Sequence, residues 1–94
     1  MLFRSATAEI LRLIGGIVDS GTHNARRNFL EEMLFCPRSP VLRDAANLGL
    51  ASMDDPKAIK SFRKAISSEK SLLLGKLLRQ TLKQLENTQS ELYP

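Results

Sequence analysis

The sequence predicts an all-α protein, a short α-α superhelix (solenoid) of about five helices. Two features of composition favour helices: the 94 residues include five glycines and four prolines, and aromatic residues make up 5% of the chain. The third observation is that apolar residues recur with helical spacing in five segments, which short turn-rich stretches separate. Because short connections make consecutive helices neighbours, these segments predict two and a half helix pairs.

The first two predicted helices have the least distinctive ends. The first runs from about Ser5 to Val18, and the second begins after a turn, at Thr22 or Asn24, and ends before Pro37. Apolar residues at helical spacing define the inward face that we predict for each helix. They are Phe3, Ala6, Ile10, Leu13, Ile14 and Ile17 in the first helix, and Ala25, Phe29, Leu30, Met33 and Leu34 in the second.

The third helix carries an unusually small apolar stripe. Ser39 and Pro40 are typical of an N-cap and a first helical turn, and the helix is predicted to run from Pro40 to Met53. Small side chains on the stripe leave little between this helix and its neighbour, so we expect another helix to approach closely. The stripe consists of Leu42, Ala45, Ala46, Gly49, Leu50 and Met53.

A tight corner is predicted between the third and fourth helices. Asp54 stands where the chain must leave helical dihedral angles, and aspartate tolerates the left-handed region better than most residues. Asp55 followed by Pro56 is typical of an N-cap and a first helical residue, so the fourth helix runs from Pro56 to about Ile66. Its predicted inward residues are Ala58, Ile59, Phe62, Ala65 and Ile66.

The fifth predicted helix, from about Ser71 to Asn87, has more leucine than one buried face needs. Its predicted inward leucines are Leu74, Leu77, Leu78, Leu82 and Leu85. A projection at about 100° per residue places Leu72 on the other side of the helix. The surplus of Leu72 and Leu73 predicts a homodimer that forms through residues 71–85; the alternative is that both side chains fold onto the preceding loop.

The third helix, the corner and the fourth helix resemble the HEAT-like repeat of the phycobilisome-lyase type. The residues that carry the resemblance are Arg43, Ala45, Ala46, Leu50, Asp55, Pro56, Ala58 and Ile59. It covers mainly residues 39–86, and within it Asp54 stands in place of the usual glycine and Lys60 in place of a frequent proline. The length of 94 residues predicts one domain. With the resemblance, that domain divides into a degenerate or capping pair (1–38), a HEAT-like repeat (39–67), a final helix (68–88) and a tail (89–94).

Helical repeats usually act by presenting a surface to a partner. We therefore expect a small, non-catalytic protein-interaction or adaptor module, a scaffold and not an enzyme. The resembled family includes subunits of bilin lyases and isomerases, so a non-catalytic accessory subunit of a lyase-type enzyme is an alternative. The repeat by itself marks helix packing and carries no chemistry.

Charge is distributed unevenly along the chain. Residues 1–55 carry six basic and seven acidic side chains, whereas residues 56–94 carry eight basic and three acidic ones. Three lysines, Lys57, Lys60 and Lys64, recur on one side of the fourth helix, and Arg27 is expected to extend that face if the helix pairs stack in register. Cations with the same spacing on the fifth helix are Lys76, Arg79 and Lys83.

This basic half has three interpretations. The simplest is a solvated outer face, since lysines opposite an apolar stripe are typical of any surface helix. The second is a binding face for an acidic protein partner. The third is binding to the nucleic-acid backbone, which needs only positioned positive charge, although the sequence offers no interleaved aromatic residues for base stacking.

Residues for catalysis or metal binding are scarce. The one histidine, His23, lies in a predicted turn, where a surface or capping role is expected. The one cysteine, Cys36, cannot form an internal disulfide, which together with the lack of a cleavable leader predicts a cytoplasmic protein. Glu9 and Arg12 interrupt the apolar N-terminal segment, so we expect no membrane span. No metal and no cofactor are predicted.

Overall fold

The computed structural model describes residues 6–94, and this part of the chain is all-helical. Two 3-10 turns, Ser20–Thr22 and Pro56–Ala58, precede the second and the fourth helix. The α-helices are α1 (Ala6–Gly16), α2 (His23–Met33), α3 (Pro40–Met53), α4 (Ile59–Ser68) and α5 (Leu72–Leu92). The predictions of an all-α fold and of five helices are confirmed.

Side-chain caps fix where α3 and α5 begin. The hydroxyl of Ser39 accepts a hydrogen bond from the backbone N–H of Leu42 at 3.1 Å, and Pro40 occupies the first turn of α3. The hydroxyl of Ser71 accepts in the same way from the N–H of Leu74 at 3.2 Å. These bonds satisfy backbone donors that a helix start leaves without partners. The start of α3 is therefore where the sequence predicts it.

The corner between α3 and α4 has the predicted geometry. Asp54 has φ 50° and ψ 43°, in the left-handed region, and it is the one non-glycine residue in the described part of the chain with a positive φ. Asp55 caps the next turn by accepting from the N–H of Lys57 at 2.9 Å. The fourth helix differs from the prediction in one respect, because its first turn, from Pro56 to Ala58, is a 3-10 turn.

The fifth helix is longer than the sequence indicates. Residues 89–94 were expected to be a tail, but α5 continues to Leu92. The hydroxyl of Thr88, near the predicted end, donates to Oδ1 of Asp54 at 2.8 Å. A bond to the α3–α4 corner holds this last part of α5 against the rest of the fold, which helical periodicity alone does not reveal.

Helix α3 is the central helix. It contacts α1, α2 and α5, and its contact with α1 is the most extensive between any two helices of the described chain. Its predicted inward stripe is buried at Ala45, Ala46, Gly49 and Leu50, with Leu42 and Met53 packed at the margin. The inward faces predicted for α4 and α5 are also confirmed. Their buried members are Ala58, Ile59, Phe62, Ala65, Leu74, Leu78 and Leu85.

Helix α1 presents a different face to the core from the one that the sequence predicts. Its buried residues are Ala8, Leu11 and Gly15, while Ile14 lies at the margin. Other members of the predicted inward face are exposed, so the prediction is wrong for them; they are Ala6, Ile10, Leu13 and Ile17. Phe3 lies outside the described residues. The small side of α1 is buried because only small side chains allow the close contact between α1 and α3, so the bulkier side of α1 faces outwards.

For the second helix the prediction is right for three of the five residues of the face. Leu30 and Leu34 are fully buried and Met33 packs beside them, but Phe29 and Ala25 are exposed. The inward side of α2 also carries the polar residues that pair with the Asp55 corner.

None of the helices in residues 6–94 is both long enough and apolar enough to cross a membrane.

Candidate partner-binding surface

The lysine face consists of Lys57, Lys60 and Lys64, and all three are exposed. Lys60 and Lys64 each stand two residues from Phe62, which is fully buried. Two residues correspond to about 200° around a helix, so both side chains point away from the core. Lys57 lies in the 3-10 turn that leads into α4. The three lysines thus stand on one continuous helical segment, the 3-10 turn Pro56–Ala58 followed by α4.

The charges of the lysine face are not neutralised by any ion pair within residues 6–94. In the part of the chain that the structure describes, none of the three lysines takes part in an ion pair, whereas Arg63 on the same helix pairs with Glu86 of α5 at 2.9 Å. On the neighbouring α5, Lys76, Arg79 and Lys83 are exposed as predicted. The basic half of the chain therefore displays two sets of cations on two helices in contact.

Arg27 does not stand on the lysine face as a free cation. Its guanidinium donates to Asp55 Oδ2 at 3.1 Å and to Glu31 Oε1 at 3.1 Å, and also to Asn24 Oδ1 at 2.8 Å. Only 12% of the side chain is exposed. Arg27 thus connects α2 to the corner before α4, and its participation in partner binding stays a prediction.

Two further bonds join α2 to the corner and to α4. His23 Nε2 lies 2.7 Å from Asp55 Oδ2, and the hydroxyl of Ser61 donates to Glu31 Oε2. Since Asp55 also caps the turn at Lys57, one carboxylate serves both α2 and the base of the lysine face. We define Asp55, Arg27, Glu31, His23 and Ser61 as the corner network. It positions the segment that carries the lysines.

The electrostatics of the corner network favour the charged forms of Asp55 and Arg27. Burial alone would raise the pKa of Asp55, but hydrogen bonds from the N–H of Lys57, from His23 and from Arg27 outweigh it, and the pKa lies below its usual value. Burial would likewise lower the pKa of Arg27, but the bonds to Asp55 and Glu31 outweigh it and raise the pKa. The Arg27–Asp55 pair is therefore ionised at neutral pH.

A second charged pair, Arg43 and Glu69, joins the beginning of α3 to the end of α4, at the ends of these helices that are far from the Asp55 corner. Arg43 Nε donates to Glu69 Oε1 at 2.9 Å and Arg43 Nη2 to Glu69 Oε2 at 3.1 Å, a two-pronged contact, and the Glu69 side chain is only 3% exposed. Arg43 also donates to the backbone carbonyl of Cys36 at 2.8 Å. Mainly because of Arg43, the pKa of the Glu69 carboxyl lies below its usual value. This pair ties the α2–α3 and α4–α5 connections to α3.

The cavities of the described chain are shallow. One of about 220 Å³ lies beside the Arg43–Glu69 pair and is lined partly by Phe35 and Cys36. The pair fills its own hydrogen-bonding needs, so the cavity offers no convergent polar groups for a small ligand. In residues 6–94 no group of three histidine, cysteine, aspartate or glutamate side chains is placed to hold a metal ion.

Leu72 and Leu73 are exposed, at 89% and 69%. Neither side chain is packed on the loop that precedes α5, and the expected homodimer through residues 71–85 stays a prediction.

The corner network was not predicted, although the sequence carries one signal for it. His23 and Arg27 stand one turn apart on the inner side of α2. Polar residues at that spacing on an otherwise apolar side indicate a buried polar contact, here with Asp55.

The chain matches no protein-family model, and it has no significant match among curated proteins or solved structures. The resemblance to a HEAT-like repeat therefore stays a prediction that depends on the residues named above.

Proposed function

We propose that this chain is a small non-catalytic interaction or adaptor module whose lysine face binds an acidic protein partner. One observation carries the proposal: Lys57, Lys60 and Lys64 are exposed, and among residues 6–94 none of them has an ion-pair partner. Acidic side chains on the same helix would pair with the lysines and reduce their charge. Here α4 has no acidic residue at all.

The corner network supports the same proposal. Binding through charge requires the charged groups to be held in place before the partner arrives, because ordering them on binding costs free energy. Asp55 caps the turn at Lys57 and bonds to Arg27 and His23, so the base of the lysine face is fixed to α2. Arg27 thereby acts as a positioning residue in this proposal.

The contacts among the helices support a short helical-repeat solenoid as the scaffold. Helix α3 contacts α1 on one side and α5 on the other, and the Glu31–Ser61 bond joins α2 to α4. Neighbour contacts between alternate helices are what stacked helix pairs produce. In this proposal α1 and α2, then α3 and α4, are successive pairs, and α5 opens a third.

Two variants with the same change in net charge test the lysine face. The first replaces Lys60 and Lys64 by glutamate, and the control replaces Lys76 and Lys83 of α5 by glutamate. Binding of a labelled polyglutamate peptide at two salt concentrations reports the interaction. We expect the first variant to lose at least tenfold in affinity while the control keeps most of it. Equal losses would show that net charge alone matters, and would overturn the proposal.

Nucleic-acid-backbone binding is the second candidate function, because α5 adds exposed Lys76, Arg79 and Lys83 beside the lysine face. An RNA or DNA oligonucleotide in the same assay distinguishes it. That candidate predicts a loss in both double variants and a steep decrease of affinity with salt. An accessory role in a lyase-type enzyme stays a hypothesis from the resemblance alone.

A further inference from the structure

A cleft lies between the turn that begins the lysine face and the end of α5. Its volume of about 350 Å³ is at the lower limit of ligand pockets, roughly 300–1,000 Å³, and suits one large side chain. Because Lys57 belongs both to this cleft and to the lysine face, a partner on the lysine face passes beside the cleft. We define the residues that line it as the α5-end cleft. They are Asp55, Pro56, Lys57, Gln89, Leu92 and Tyr93.

Hydrogen bonds fix the backbone on both sides of the α5-end cleft. On one side, Asp55 Oδ1 accepts from the N–H of Lys57 at 2.9 Å and holds the turn. On the other side, α5 continues to Leu92, and the hydroxyl of Thr88 donates to Asp54 Oδ1 at 2.8 Å. This bond ties the end of α5 to the α3–α4 corner. The cleft therefore exists before a partner arrives, and binding requires little ordering of the backbone.

The apolar part of the α5-end cleft suits an aromatic side chain. It consists of Pro56, Leu92 and Tyr93, and the last two are 60% and 74% exposed. Aromatic rings in contact are more favourable than the buried area alone predicts, so a ring gains more beside Tyr93 than an aliphatic side chain does. A nucleobase fits less well, because its polar edges would lie against Pro56 and Leu92.

The α5-end cleft also carries an unpaired positive charge. Lys57 is exposed, and no residue in the described part of the chain forms an ion pair with it. Asp55 has the opposite charge, but Arg27 donates to its Oδ2 at 3.1 Å and neutralises it. Glu91 stands two residues from Gln89, about 200° around α5, and does not line the cleft. The charge next to the apolar part therefore favours an acidic partner.

An acidic segment that contains one aromatic residue matches both parts of the cleft. We propose that the α5-end cleft holds one aromatic side chain of the acidic segment that the lysine face binds, an inference that rests on the proposed function. The acidic groups lie on the lysine side, because the end of α5 carries the partial negative charge of a helix C-terminus. In many interfaces an aromatic anchor contributes most of the affinity, while exposed charges mainly raise the association rate.

Two probes that differ in one residue test the proposal. Both are the labelled polyglutamate peptide, with its central residue replaced by phenylalanine in one and by alanine in the other, so their charge is the same. The cleft variant carries Leu92→Ser and Tyr93→Ser. The control variant carries Leu72→Ser and Leu73→Ser, which removes two exposed apolar side chains from the other end of α5. Fluorescence anisotropy gives the dissociation constant of each combination.

The intact chain and the control variant should bind the phenylalanine probe about fivefold more tightly than the alanine probe, since about half of the ring is buried. The cleft variant should bind both probes as the intact chain binds the alanine probe, which also checks that its lysine face is intact. Equal affinities of the two probes for the intact chain would overturn the role of the cleft and leave the lysine face standing. So would a preference for phenylalanine that the cleft variant keeps. If neither probe bound, both proposals would fail.

A short single-stranded DNA tests the other occupant of the cleft. If the cleft variant bound this DNA more weakly than the intact chain did, and the intact chain did not distinguish the two peptides, the cleft would hold a base. That result would overturn the proposal in favour of nucleic-acid binding.

Discussion

Gly15 and Gly49 meet backbone to backbone where α1 crosses α3. A Cβ atom placed on Gly15 would overlap the carbonyl oxygen of Gly49, and one placed on Gly49 would lie 2.8 Å from the carbonyl oxygen of Leu11. Neither backbone can move aside without moving its helix. The two glycines therefore set the distance between the two helices that share the largest contact in the described chain.

Replacing Gly15 by alanine is expected to destabilise the protein by roughly 1–3 kcal/mol, because the added methyl group forces the two helices apart. Gly16→Ala is the matched control, since nothing lies within 4 Å of a Cβ at that position. Alanine is the better helix former, so the control should unfold at the same or a higher urea concentration than the parent chain. Equal midpoints for the two variants would contradict the close contact.

Glu69→Gln is expected to lower the free energy of unfolding by about 3 kcal/mol, because Arg43 would keep its charge in a largely buried site without a counter-charge. The control is Glu86→Gln, which removes an ion pair between exposed side chains, Arg63 and Glu86. Such pairs contribute about 0–1 kcal/mol. Urea unfolding of both variants gives the comparison, and similar losses would argue against a structural role for the Arg43–Glu69 pair.

Acid is expected to destabilise the fold through the carboxyl groups of Glu69 and Asp55, whose pKa values are both lowered in the folded chain. A lowered folded pKa stabilises the fold fully above the unfolded pKa, about 4, and the stabilisation disappears as the pH falls through the folded value. The free energy of unfolding should therefore be level from about pH 7 to about pH 5 and fall below about pH 4.

Urea unfolding at a series of pH values measures this dependence. A variant with both Glu69→Gln and Asp55→Asn should be less stable at neutral pH but should lose less on acidification than the parent chain. If the two proteins lost stability in parallel down to pH 3, other carboxyl groups would be responsible.

Asp54→Gly is not expected to stabilise the protein, although glycine is the residue that best tolerates a φ of 50°. The reason is that Asp54 Oδ1 accepts hydrogen bonds from Gln84 at 3.0 Å and from Thr88 at 2.8 Å. The loss of each bond costs about 1 kcal/mol, which is similar to the strain that glycine would relieve in a left-handed backbone. The loss of the bonds is therefore expected to offset the gain.

A double-mutant cycle separates the two effects at Asp54. In a background that carries Gln84→Ala and Thr88→Val, the hydrogen bonds are already absent, so Asp54→Gly should raise the midpoint of thermal unfolding. If the substitution had the same effect in both backgrounds, the bonds to α5 would contribute nothing measurable.

Short-range features of the sequence account for the local structure of residues 39–86. Caps at Ser39 and Asp55, the left-handed residue Asp54 and the inward stripes of α3, α4 and α5 all follow from short-range rules. The caps and the corner depend on hydrogen bonds and dihedral preferences within a few residues. The inward stripes can be predicted because each of these helices has its main apolar stripe on one side. The exposure of Lys57, Lys60 and Lys64 follows from the same periodicity.

The packing of the helices determines which side of α1 is buried and where Arg27 lies. Helix α1 has apolar residues on both sides, so periodicity does not choose between them; the fit of Gly15 against Gly49 does, and it leaves Ile10, Leu13 and Ile17 outside. Arg27 has a carboxylate partner 28 residues away, Asp55. Contacts between distant parts of a chain depend on how its helices pack. The spacing of His23 and Arg27 indicates a buried polar contact, but not that Asp55 supplies it.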